Sequence, residues 1–160
     1  MNLDPLRRAL EPAIRRVLHF YWRFARPMTL GVRAVVIDAQ GCVFLVKHSY
    51  VTGWHLPGGG VETGETVEHA LARELEEEGG IILRGAVALH GVFFNARVSR
   101  RDHVAVFVVR EFSQQGGPRY PREIIDHGFF MPDALPADTT RGTRARLAEV
   151  LDGATRAPHW

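Results

Sequence analysis

The chain has almost no cysteine and almost no lysine. Cys42 is the single cysteine in 160 residues, which excludes an internal disulfide framework and is compatible with a reducing compartment. It sits in an apolar strand pattern and reads as a small buried hydrophobe. Lys47 is the one lysine beside 19 arginines, and the formal net charge is only +2. Basic residues are scattered outside the first segment, so this bias carries no DNA-binding signature and no DNA partner is expected. No run of about 18 apolar residues is present to span a bilayer, and the start lacks the apolar stretch and small-residue cleavage site of a secretory signal. The expected location is cytoplasmic. Internal repeats and long low-complexity linkers are also missing. The length suits one domain with a sizeable core and is too short for two comfortable ones.

What the chain does have is a glycine loop running into a helix that ends in crowded carboxylates, from Gly58-Gly59-Gly60 to Ile81. Each helical residue advances about 100°, so Glu74, Glu77 and Glu78, at i, i+3 and i+4, fall on one stripe. Toward the helix start that stripe passes through Ala70 and Val67, with Leu71 and Leu75 beside it. Like charges at these spacings cost roughly 0.2–0.5 kcal/mol per pair, and acids near a helix C-terminus oppose its dipole. A hard divalent cation offsets both, because Mg²⁺ takes oxygen ligands and is usually held by one or two carboxylates plus substrate phosphates. Glu76 projects to nearly the opposite side and reads as solvated. Thr66 is placed as the N-cap, with Glu68 in the first turn.

Read from Gly59, these residues spell Gly59-x5-Glu65-x7-Arg73-Glu74-Leu75-x-Glu77-Glu78-x-Gly80-Ile81. The stretch resembles the Nudix box at all nine defined positions, over 23 of the 160 residues. The resemblance implies a Mg²⁺- or Mn²⁺-dependent hydrolase that cuts a pyrophosphate bond in a nucleoside diphosphate linked to another group. It also implies the Nudix fold, an α+β arrangement in which a mixed β-sheet is sandwiched between helices (α/β/α). By the same resemblance Glu74, Glu77 and Glu78 match the metal-binding acids, and Gly58 or Gly59 adds a backbone carbonyl. Arg73 and Glu65 match the pair that braces helix against loop. The water-activating base varies in the family, and Glu74 is the candidate here. Glu123, ahead of the aromatic-rich stretch 124–131, matches the place where many relatives supply a further metal-site acid; ordinary exposure is the alternative.

The rest of the chain divides into an N-terminal amphipathic helix over 1–26, a hydrolase domain over 27–153 and a tail over 154–160. Residues 4–24 carry Leu6, Leu10, Ile14, Val17 or Leu18, and Tyr21 at spacings of three and four, with arginines elsewhere around the helix and Pro12 a possible kink. This is an extra helix outside the catalytic fold. Three readings stand open: packing against the body or a second subunit, which would make a homodimer; contact with an anionic membrane surface; and an Arg-rich targeting peptide. The aromatic cluster 19–24 fits the first two best. Residues 28–38 and 42–47 read as a hairpin closed at 39–41. Arg33 and Lys47 are the charged residues inside these strands and are candidates to meet an anionic substrate, with an ordinary solvent-facing position as the alternative. His48 reads as structural. Residues 81–94 read as two strands or one bent one, 95–102 as a basic loop, 103–112 and 124–131 as strands, 132–136 as a loop and 139–151 as a helix.

The glycines at 58–60 permit positive φ and close backbone approach, so with the box they form a candidate phosphate and metal loop. Two other functions compete: a pyrophosphohydrolase acting on nucleoside triphosphates or RNA 5′ ends, and a non-catalytic nucleotide-sensing module. Trp54, Phe93, Phe94 and Tyr120 are candidates to stack on a base, with core or loop packing the more common fate of such aromatics.

Overall fold

Strand β1 (Thr29–Val36) is buried on both faces, and its two sets of side chains meet different helices. In the computed structural model, which describes residues 4–160, Val32, Ala34 and Val36 share a core with Ala70, Leu71 and Leu75 of helix α2 (Val67–Gly79). Val35, one step out of phase, joins a second core with Leu147 of helix α3 (Arg141–Leu151). Side chains alternate across a strand, so one covered on both faces needs a near-continuous apolar run. The stretch from Gly31 to Ile37 supplies it. The result is the expected α+β fold, a mixed sheet between helices.

Strand β1 pairs in parallel with β6 (Asp102–Val109), which pairs antiparallel with β5 (Ala88–Phe94). Strand β2 (Val43–His48) lies between β3 (Trp54–His55) and β8 (Ile124–Phe130), both antiparallel to it. A short pair, β4 (Ile81–Leu83) with β7 (Phe112–Gln114), completes the set. The residues read as one strand over 103–112 are thus divided between β6 and β7.

The expected hairpin is corrected. Its turn exists, because Asp38 Oδ1 accepts from the backbone N–H of Gln40 and Cys42 at 2.9 and 2.8 Å. Pairing between the strands nevertheless stops at a single bridge, Ile37 to Val43. The edge of β1 that β2 would have used is taken by the glycine loop: Val32 N–H donates to the Gly59 carbonyl at 2.8 Å and Ala34 N–H to that of Pro57 at 2.9 Å. This fixes the loop against the sheet.

Helix α2 opens at Thr66, whose hydroxyl accepts from His69 N–H, and closes at Gly80, whose φ of 61° is left-handed. Glycine is favoured there because it lacks the Cβ that penalises that region. Helix α3 opens in the same way at Thr140.

Helix α1 (Asp4–Ala25) stands apart from these layers, with Pro12 inside it. Ile14, Val17, Phe20, Tyr21 and Phe24 are 51–68% exposed, so packing of these residues against the body is overturned. At the other end of the chain, residues 154–160 return to the sheet. Phe94 N–H donates to the Pro158 carbonyl, and Trp160 N–H donates to the Phe94 carbonyl, each at 3.0 Å.

Candidate active site

The last two turns of α2 and the glycine loop enclose a cavity of about 290 Å³. Glu74, Glu77 and Glu78 line it from the helix, Gly58, Gly59 and Gly60 from the loop, and Glu123 from the turn before β8. Arg33, Tyr50, Tyr120 and Ile124 complete the wall. The sequence-derived acids are therefore brought together. Glu76 is exposed, away from them.

Arg73 organises the loop side. Its guanidinium forks onto Glu65, Nε to Oε1 at 3.0 Å and Nη2 to Oε2 at 3.1 Å. It also donates to Glu74 Oε1 at 2.7 Å and the Gly60 carbonyl at 3.0 Å, with Glu77 Oε2 3.6 Å away. A planar fork suits this bidentate bracing. The hydrogen bond from Arg73 holds the Glu65 carboxyl below its usual range.

Glu78 is buried, and its Oε2 accepts from Gly58 N–H at 2.7 Å. Burial pushes its carboxyl up from 4.5 to about 7. Arg33 and the Gly58 N–H oppose that rise, while Glu74 and Glu77 add to it. His48 lies opposite, its Nε2 3.5 Å from Glu78 Oε1. Burial first, then Arg33 and His55, lower the His48 value to about 4. The ring is neutral at ordinary pH.

A second, larger cavity of about 810 Å³ adjoins the first and shares Arg33, Gly59 and Gly60 with it. Its walls include Asn95 and Arg97 from the loop before β6, Arg141 and Arg146 from α3, and Trp160 from the returning tail. The Arg146 guanidinium sits 3.8 Å from the centroid of Phe93 and 5.7 Å from that of Trp160. His55 lines this cavity, and burial lowers its value. None of Tyr50, His55, Arg141, Arg146 and Trp160 was a sequence candidate: Arg141 and Arg146 arrive together on α3 and Trp160 on the returning tail, all far from the glycine loop in sequence, and Tyr50 and His55, though close ahead of it, belong to no motif.

The family model described as the NUDIX domain matches residues 27–151. The chain belongs to the NUDIX family. A MutT-like protein of Streptomyces ambofaciens is 32% identical over 131 residues, 82% of this chain and 80% of that protein. The ADP-ribose pyrophosphatase of Methanocaldococcus jannaschii is 37% identical over 120 residues, which are 73% of this chain but only 58% of the archaeal one. A crystal structure of a MutT NUDIX hydrolase from Burkholderia pseudomallei matches the fold with a TM-score of 0.67 at 31% identity, over 76% of this chain and 97% of that one. This chain is a Nudix hydrolase, and the acid-lined cavity is where its box lies.

Two sequence expectations are corrected within that Nudix fold. Lys47 does not line either cavity: its Nζ pairs with Asp138 Oδ2 at 2.8 Å and lies over Trp54. The cause is strand alternation. Phe44 and Val46 face the α2 side and His48 meets Glu78 there, so the odd-numbered Lys47 faces away. Arg33 also starts on the other face, yet it reaches both cavities and donates to the Leu56 carbonyl at 2.7 Å. Among the aromatic candidates, Trp54 and Phe93 are core residues and Tyr120 alone lines the acid cavity. Phe94 packs against His103 and His159.

Nudix hydrolases generally use divalent metal ions. The donors around the smaller cavity suit one chemically, since four carboxylates and a glycine-loop backbone offer oxygen ligands only. Among the described residues no three acids already converge on a common point. Glu74 is turned onto Arg73, and Glu78 onto Gly58 N–H. The residues fit a hard cation by composition.

Proposed function

We propose that this chain hydrolyses the pyrophosphate bond of a nucleoside diphosphate linked to a further group. The observation that carries the reading is that the two cavities share part of their lining. Arg33, Gly59 and Gly60 border both, so a phosphate chain lying over the glycine loop leads from the acids into about 810 Å³ of further space. That volume exceeds the need of a phosphate chain alone and accommodates a nucleoside and its linked group.

Glu74, Glu77, Glu78 and Glu123 are the residues that would hold a divalent cation, with a backbone carbonyl of Gly58 or Gly59; the ion supplies neutralisation of the phosphate oxygens and acidification of water. The chain's own groups do the rest. Arg33, whose charge stands beside Glu78 at the junction of the cavities, meets the anionic phosphate chain. Glu74 takes the proton of the attacking water, and Arg73 fixes that carboxylate by its 2.7 Å bond.

The test is a substrate panel with Mg²⁺ or Mn²⁺: nucleotide-sugars, ADP-ribose, dinucleoside polyphosphates, nucleoside triphosphates and triphosphorylated RNA. Release of a nucleoside monophosphate plus a phosphorylated partner is expected, at higher kcat/KM than any triphosphate gives. Preferential release of inorganic pyrophosphate from triphosphates would overturn the reading.

A further inference from the structure

Hydrolysis as described uses nothing from the first 26 residues, yet that segment is the most strongly patterned part of the surface. At about 100° per residue, Ile14, Val17, Phe20, Tyr21 and Phe24 of α1 fall within an arc of roughly 120°. Arg15, Arg16 and Arg23, with Arg26 just beyond the helix, fall on the other side. Leu18 and Trp22 mark one boundary between the arcs. The five apolar side chains are 51–68% exposed. A contiguous apolar strip of this kind on a monomer marks a contact surface.

Charge identifies what the surface meets. Residues 1–26 carry six arginines against Asp4 and Glu11, a net +4, so the remaining chain carries −2 of the total +2. Among the described residues the ion pair found on this helix is Glu11 with Arg15, at 3.8 Å, and Arg16, Arg23 and Arg26 have none. A second copy packed helix to helix would bring another +4 against the first, whereas an anionic surface complements it. No described helix is long and apolar enough to cross a membrane. A helix that is too polar to cross, with aromatic side chains on one face and arginines on the other, has the make-up of one that lies in the lipid interface.

We propose that α1 docks flat on an anionic phospholipid surface and holds the hydrolase there. Phe20, Tyr21 and Phe24 enter the boundary between headgroups and acyl chains. Arg16 and Arg23, flanking the apolar arc, extend their long side chains to lipid phosphates. Arg15 and Arg26, farther round, add long-range attraction.

The test is co-sedimentation of the full-length protein with phosphatidylcholine–phosphatidylglycerol vesicles and with phosphatidylcholine vesicles alone. Binding to the anionic vesicles is expected to be tighter by about a hundredfold or more and to weaken with salt. Arg16→Gln with Arg23→Gln should weaken it on the order of twentyfold, at about fivefold for each charge. Phe20→Asp with Phe24→Asp should abolish it while nucleotide hydrolysis persists, since neither residue touches the catalytic cavity. Failure of the unaltered protein to bind anionic vesicles would overturn the proposal, as would binding indifferent to both double substitutions. A solution dimer that Phe20→Asp with Phe24→Asp converts to monomer would instead assign the apolar face to a second copy.

Discussion

Gly59 lies so close to Glu74 that a methyl group on its Cα would fall 2.3 Å from the Glu74 Oε1. Its neighbour Gly58 is crowded differently, by the Val32 carbonyl at 2.1 Å and at a φ of 137°. A carboxylate on a flexible side chain can swing aside; a strand backbone cannot. Gly59→Ala is therefore expected to leave the melting temperature nearly unchanged while lowering kcat about a hundredfold, the usual cost of misplacing a reacting group by an ångström. Gly58→Ala should instead destabilise the fold by about 2 kcal/mol or more. Thermal melts and steady-state kinetics on the two variants separate the effects, and equal melting temperatures would contradict the assignment.

Arg73 serves four oxygens at once, two on Glu65, one on Glu74 and the Gly60 carbonyl. Lysine keeps the charge but is a point donor without the fork. Arg73→Lys is expected to retain the fold, lower kcat about tenfold and raise the Mg²⁺ concentration needed for half-maximal activity. A magnesium titration at saturating substrate checks it. An unaltered titration would mean that Glu74 does not depend on Arg73 for its position.

Local order was legible in the sequence and distant pairing was not. The stripe of Glu74, Glu77 and Glu78 follows from helical geometry, as do the Thr66 cap and the exposed Glu76. The apolar run of β1 announced a strand but not its neighbour. Its partner β6 begins at Asp102, beyond a helix and four strands, and its other edge pairs with the glycine loop rather than with β2. Nothing local distinguishes a turn whose strands stay paired from one whose strands part after one bridge. The returning tail is the same case: Trp160 meets Phe94 across most of a domain. Lys47 is a different kind of miss, because the parity rule that turns it away from the acids was available once His48 was known to face them.

Glu78 links stability to pH. Its folded value of about 7 lies above the ordinary 4.5, so the metal-free folded protein holds this proton more tightly than the unfolded chain. The contribution is fully present below about pH 4.5 and is lost as pH rises through about 7. His48, lowered from 6.5 to about 4, contributes the opposite slope over that lower interval, its share being lost as pH falls through about 4. The raw melting curve mixes both, and the difference between the unaltered chain and Glu78→Gln isolates the carboxyl. In chelator that difference is expected to shift in favour of Glu78→Gln as pH rises from about 4.5 to about 7, and to level off above it. Added Mg²⁺ should reverse it, since a bound cation takes the proton's place. A difference flat with pH would refute the raised value.

Lys47→Met tests the correction made by strand parity. The side chain is paired with Asp138, and the bond from Lys47 holds that carboxyl below its ordinary range. Because Lys47 lines neither cavity, kcat and KM should stay within about twofold of the unaltered enzyme, as for a surface substitution away from the site. Arg33→Met, by contrast, should raise KM for any phosphate-chain substrate. Equal losses from the two would return Lys47 to the site.

Trp160 reaches the larger cavity only because the tail pairs with β5, so its contribution is separable from that of the acids. Its ring stands beside Arg146, which is already held by Glu149 and by the His159 carbonyl. Trp160→Ala removes wall from the region assigned to the nucleoside or its linked group and leaves Glu74, Glu77, Glu78 and Glu123 untouched. Lost contact that is equal in ground and transition states raises KM without changing kcat. The expected result is a KM higher by about tenfold for a full nucleotide-linked substrate, with kcat kept. A short substrate, a phosphoanhydride lacking the second group, should be hydrolysed as before. A fall in kcat for both substrates would place the effect of Trp160 on the acid cavity and deny the larger cavity its role.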